Sequence, residues 1–227
     1  IKFPISGTKT SKDVAVFGIF DGMGGEECGE IASYIASKAA SDIEIGKDAT
    51  TALSQFCQKA NLDICDYATL HEVSSMGTTA AMLVFTEKEV ALCNIGDSKI
   101  FRLCDGKLEQ ISMDHVAIAA FGIKPPLSQN LGIPPNELVI DPYLARGPYN
   151  DGDIYLICSD GLTDMVSVEE ITEVLNSNSI EGAISTLLDK ALAGGGKDNI
   201  TIILCKIERQ SGWLFNRKHH HTKRKEV

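Results

Sequence analysis

Five aspartates stand where apolar, strand-like runs begin or end. Asp21 follows "KDVAVFGIF", Asp97 follows "ALCNIG", Asp160 follows "IYLICS", Asp164 comes four residues later, and Asp198 precedes "NITIILCKI". Each has a glycine beside it or within a few residues. Strand ends are rigid and the loops beyond them open, so such groups can converge on one place. Carboxylates with no histidine or cysteine among them form the ligand set of hard cations such as Mg²⁺ and Mn²⁺, which prefer oxygen donors. Two such ions about 3.5–4 Å apart make a water acidic and neutralise a phosphoryl group. A neighbouring glycine lets a backbone carbonyl approach closely. The competing reading is turn chemistry: Asp-Gly occurs at 21, 105, 151 and 160, and Asp-Gly makes turns. Taken singly, each pair reads as a turn, and Asp105 and Asp151 are expected to be no more than that. The order of the five acids and their places at strand ends are the more specific signal.

The elements that must position these acids can be read from periodicity. Residues 12–20 are Val- and Phe-rich, as in a buried strand. "EECGEIASYIASKAASDI" carries helical spacing at Ile31, Tyr34, Ile35 and Ala39, and a second long helix spans 48–68 with Asp48 as N-cap. From 77 to 111 short strand-like runs alternate with turn residues, and Asp105-Gly106 predicts a two-residue hairpin. A Pro-rich loop follows. "DIYLICS" and "NITIILCKI" read as later strands. Between them Ser167 and Glu170 form a capping box for one helix, and Gly194-Gly195-Gly196 ends another. Adjacent strands plus adjacent helices, without βαβ alternation, give an α+β class.

With 227 residues the chain suits one domain, 1–210, followed by a basic tail, 211–227. Net charge is −10, which argues against nucleic-acid binding. The last eleven residues carry five Lys and Arg against one Glu, leaving −14 on the rest. A body this acidic handles phosphate only if cations reverse the local sign. Seven dispersed cysteines without a CxxC pair read as reduced, buried thiols, notably Cys93, Cys158 and Cys205, which points to the cytoplasm. No apolar run approaches the ~20 residues of a membrane helix, and no signal peptide is visible.

The segments "FGIFDGMGGEECGEIAS", "MGTTAAM", "NIGDSKIF", "ISMDH", "LSQNLG", "GDIYLICSDGLTDMV" and "GGGKDNITIILCKI" occur in this order. In this set and order the chain resembles the metal-dependent PPM family, the type 2C protein serine/threonine phosphatases, in its compact bacterial form. The resemblance covers about residues 12–207. It implies a four-layer αββα sandwich of two antiparallel sheets flanked by helix pairs. It also implies a centre of two Mn²⁺ or Mg²⁺ ions, with a third bound more weakly. By motif, Asp21 resembles the bridging ligand and Gly22 the residue whose carbonyl also binds metal. Asp160 and Asp198 are similar to the other ligands of the first ion, and Asp97, Asp160 and Asp164 to those of the third. Thr78 and Thr79 are expected to support the site, with Asn199 behind it. The implied reaction is direct hydrolysis of phosphoserine or phosphothreonine by a metal-activated water, with Asp21, Asp160 and Asp198 central to it. Phosphorylated proteins are the implied partners, a Ser/Thr kinase the natural opponent, and the chain a monomer with no membrane insertion.

Three departures from the family pattern qualify this. Residues 1–20 contain no Glu and no Arg, and their only Asp is Asp13, whereas the family has an Asn-Glu-Asp motif for the second metal and an Arg for substrate phosphate. The expectation is that these lie upstream of Ile1. If they are truly lost, the alternative is a weak pseudophosphatase used as a binding module. Met23 stands where many eukaryotic members have His, so the leaving group would take its proton from water or another group. The stretch from His115 to Leu127 is short where the family carries a longer flap. His115 is expected to be structural and His71 to lie on the surface.

Overall fold

A computed structural model describes residues 9–10, 14–24, 28–118 and 124–208. The basic tail, Asp13 and residues 119–123 of the short flap lie outside the described residues. The element order is β1 (Lys9–Thr10), β2 (Val14–Ile19), α1 (Gly29–Ser41), α2 (Ala49–Leu70), β3 (Ala80–Thr86), β4 (Val90–Ile95), β5 (Lys99–Cys104), β6 (Lys107–Gln110), β7 (Tyr143–Gly147), β8 (Ile154–Cys158), α3 (Asp160–Thr163), α4 (Val168–Ser177), α5 (Ile180–Ala193) and β9 (Ile202–Lys206). All strand pairings are antiparallel. One sheet runs β1-β2-β3-β4-β7 and the other β6-β5-β8-β9.

The four expected layers follow from which faces are apolar. Ile19, Ala81, Leu83, Phe85, Leu92, Ile100, Tyr155 and Ile157 pack between the two sheets. The opposite face of β3 and β4, through Met82, Val84, Ala91 and Cys93, packs under α1 and α2 with Leu53, Phe56 and Ile64. On the other sheet Phe101, Leu103, Leu156 and Cys158 meet α4 and α5 through Ile171, Leu175 and Leu187. Buried on both faces, β3 and β4 show continuous apolar runs in place of an alternation.

Local signals act where the sequence places them. The Asp48 carboxylate accepts from Thr50 N at 3.0 Å at the start of α2. Ser167 and Glu170 complete a reciprocal capping box on α4. Asp105 and Gly106 take φ of 50° and 78°, the left-handed pair that closes the β5–β6 hairpin. After α5, Gly195 N and Gly196 N donate to the carbonyls of Leu192 and Ala191, with Gly195 at φ 128°.

Two expectations are corrected. The Pro-rich loop contains a strand: β7, bracketed by Pro142 and Pro148, pairs along β4 as the edge of its sheet, where prolines at the strand ends cost no ladder hydrogen bond. Cys28, Cys65, Cys104 and Cys205 are only half-buried, Cys205 because β9 is an edge strand. Cys93 and Cys158 are buried as expected; Cys93 Sγ lies 3.1 Å from Cys57 Sγ, and both thiols are free.

Candidate metal centre

The antiparallel order sends the acids to one end of the sandwich. β2, β4 and β8 run toward that end and deliver Asp21, Asp97 and Asp160, while β9 starts from it, just after Asp198. The electrostatics follow. The Asp21 carboxyl is pushed up to about 7, first by burial and then by the negative charges of Asp160, Asp198 and Asp97. The Asp97 carboxyl is raised by burial and by Asp160. Neighbouring negative charge thus works against the ionisation of Asp21 and Asp97, and the positive charge of Lys124 offsets part of it.

The backbone around Asp21 is tied down by threonines. Its N–H donates to Thr79 Oγ1 at 3.1 Å, and its carbonyl accepts from Thr78 Oγ1 and Thr79 N, each at 2.9 Å. Thr79 Oγ1 also lies 2.8 Å from Ser98 Oγ, and the Ser98 carbonyl accepts from Asn94 Nδ2 at 2.6 Å. A buried polar chain therefore joins the Asp21 turn to the Asp97 turn. Gly96 closes the second turn at φ 99°, where an added Cβ would come 2.6 Å from Thr79 Cγ2. Gly22 bridges to Thr78, and a Cβ there would come 2.2 Å from the Gly29 carbonyl oxygen at the start of α1.

The Asp160 and Asp198 loops are joined by a different device. Ser159 Oγ donates to the Asn199 carbonyl at 3.1 Å and accepts from Thr201 N at 3.0 Å. Gly161 packs so closely that a Cβ would lie 2.3 Å from the Asn199 carbonyl oxygen. One Asp160 oxygen, Oδ1, is buried without a hydrogen-bond partner. The other, Oδ2, is ion-paired to Lys124 Nζ, which also reaches Asp164 Oδ2 at 2.8 Å. Asp198 is exposed, and its Oδ1 accepts from Asn199 N at 2.7 Å.

An orphaned buried carboxylate oxygen, beside acids raised by burial and by their neighbours' charge, fits a hard cation held by oxygen donors. Among the described residues, no group of three or more His, Cys, Asp or Glu side chains is already drawn together to hold a metal ion. The acids share one field, with Lys124 bound between two of them.

Sequence reasoning did not single out Ser98, Asn94 or Lys124. Ser98 carried a signal, its place in "GDS" directly after Asp97. Lys124 carried none, since its partners lie 36 and 40 residues away. His115 is buried, its backbone N–H donating to the Gly96 carbonyl at 2.9 Å, and His71 is exposed beside Tyr67.

The sequence model of the family Protein phosphatase 2C matches residues 6–193. The chain is 32% identical over 203 residues to the serine/threonine protein phosphatase PstP of Mycobacterium tuberculosis, covering 82% of this chain and 39% of that protein's length. It is 29% identical over 209 residues to the serine/threonine phosphatase stp of Listeria monocytogenes, covering 82% of each. Among solved structures, the PstP catalytic domain in complex with two manganese ions superposes with a TM-score of 0.75 at 29% identity, covering 89% of this chain and 91% of that one. Stp1 from Staphylococcus aureus gives 0.78 at 28% identity, covering 89% and 88%. On the family match and the shared αββα architecture, the chain belongs to the protein phosphatase 2C family.

Proposed function

We propose that this chain is a Mn²⁺- or Mg²⁺-dependent protein phosphatase that hydrolyses phosphoserine and phosphothreonine in proteins, opposing a Ser/Thr kinase in the cytoplasm as a monomer. The observation that carries the reading is the mutual field of Asp21, Asp97, Asp160 and Asp198 at one end of the sandwich, together with the partnerless buried Oδ1 of Asp160. The solved relative holding two manganese ions supports it. Asp21, Asp160 and Asp198 would hold the first ion, Asp21 would also serve the second, and the Gly22 carbonyl would bind metal beside it; Asp97, Asp160 and Asp164 would hold a third. Bound there, divalent cations supply Lewis acidity, making a water acidic and neutralising charge on a phosphoryl group.

The chain's own residues do the positioning. The Thr79–Ser98 link fixes the distance between the Asp21 and Asp97 turns, and Ser159 fixes Asp160 against the Asp198 loop. Met23 has no proton to give, so the leaving seryl or threonyl oxygen takes its proton from solvent or another group. An inert scaffold would gain nothing from keeping repelling acids together, which favours the enzyme over a pseudophosphatase.

The test is hydrolysis of a phosphothreonine peptide with Mn²⁺. Turnover is expected to stop in chelator and in Asp198→Asn; no turnover at saturating Mn²⁺ in the natural full-length protein rejects the reading. Thr79→Val is expected to cost about 1–3 kcal/mol in denaturant unfolding, because the Asp21 N–H and Ser98 hydroxyl lose a buried partner. It is also expected to weaken Mn²⁺ binding about 10- to 100-fold, as lost support of a metal ligand does. Unchanged values on both counts would show that the link does not hold the site.

A further inference from the structure

We propose that Lys124 is a built-in competitor for the divalent cation, an internal ammonium that occupies Asp160 and Asp164 until metal displaces it. This rests on the metal centre proposed above.

The geometry is that of a bridge. Lys124 Nζ pairs with Asp160 Oδ2 and, at 2.8 Å, with Asp164 Oδ2. The two acids are spaced by one helical turn across α3, and the Asp164 N–H donates to the Asp160 carbonyl at 2.8 Å, which fixes that spacing. The lysine is held on a pinned segment. Pro125 and Pro126 follow it, and the Pro126 carbonyl accepts from Ala117 N at 2.9 Å beside the Val116–Leu127 bridge. A residue before proline is confined to extended backbone, which narrows where Lys124 can go.

A cation shared by Asp160 and Asp164 would approach the same side of both carboxylates that the ammonium holds through Oδ2, and two positive charges that close repel. Metal bound there therefore works against both ion pairs. The apparent affinity falls by the fraction of protein in which the oxygens are free. The expected effect is moderate, since Lys124 and Asp164 have side chains 53% and 45% exposed and water screens them, although Asp160 at 13% is not so screened. Lys124 also acts on Asp97, ahead of Lys99, whose ammonium is engaged by Asp114. The arrangement would keep the acid cluster tolerable without metal while setting the metal concentration at which the weakest site fills.

The experiment is calorimetric titration of the whole chain with Mn²⁺, wild type against Lys124→Met and Lys124→Arg, with thermal midpoints measured in chelator and in saturating Mn²⁺. Lys124→Met is expected to tighten the weakest Mn²⁺ step about tenfold, and to lower the midpoint in chelator but not in saturating Mn²⁺. Lys124→Arg keeps the charge and should stay near wild type. The tenfold gap should also shrink as salt rises and screens the pair. An unchanged or weakened Mn²⁺ affinity in Lys124→Met, with Mn²⁺ still binding wild type, overturns the competition alone. No Mn²⁺ binding in any of the three proteins overturns the metal centre, and the competition with it.

Discussion

Asp21→Asn is expected to abolish phosphatase turnover and, in chelator, to make the protein more stable. The two effects share one cause. Asp21 is half-buried in the field of Asp160, Asp198 and Asp97, and its carboxyl is raised from 3.8 to about 7, first by burial. A carboxyl raised on folding gives its full stability below the unfolded value and loses it as pH rises through the folded one. At pH 8 the ionised group therefore strains the metal-free fold, and at pH below about 4 it does not. The amide removes that charge. The thermal midpoint in chelator at pH 8 should rise by roughly 2–4 °C, about 1 kcal/mol for a domain of this size, and the gain should fade toward pH 4. Activity should fall about 10³-fold or more, since charge stabilisation by bound metal contributes several kcal/mol. Retained activity, or a lower midpoint in chelator at pH 8, would contradict the view that Asp21 is held in an unfavourable state for the sake of a cation.

Gly161→Ala should be nearly as damaging, through backbone alone. Its added Cβ would stand 2.3 Å from the Asn199 carbonyl oxygen and 3.0 Å from the carbonyl carbon. Neither atom can swing aside, so the Asp160 turn and the Asp198 loop must separate. Overpacking of this kind costs about 1–3 kcal/mol of stability. A displacement near 1 Å between groups that must act together costs about 10²-fold in rate. Activity and denaturant unfolding measured side by side check both numbers. A variant of full stability and full activity would show that the two loops need not touch.

The parts of this molecule legible in the sequence are those set by local chemistry. Asp48 caps α2, Ser167 and Glu170 box the start of α4, and Asp105-Gly106 turns a hairpin. The acids were visible because each interrupts an apolar run at a strand end. β7 was not: Tyr143–Gly147 is short, lies between prolines, and has no alternation of buried and exposed positions. Its pairing with β4 is decided by the sheet and not by its own residues. The polar chain from Asp21 through Thr79 and Ser98 to Asn94 joins three separate segments, so spacing alone does not announce it. Lys124 is the extreme case, an ordinary lysine whose meaning comes from acids folded against it.

Diffraction from crystals grown with Mn²⁺, recorded where manganese scatters anomalously, tests the central claim most directly. The account predicts anomalous peaks in contact with Asp21, the Gly22 carbonyl, Asp160 and Asp198, with the Lys124 ammonium moved off Asp160 wherever an ion touches Asp160 and Asp164 together. Crystals soaked to saturation that show no manganese at these carboxylates, or show it bound only elsewhere on the surface, would contradict it.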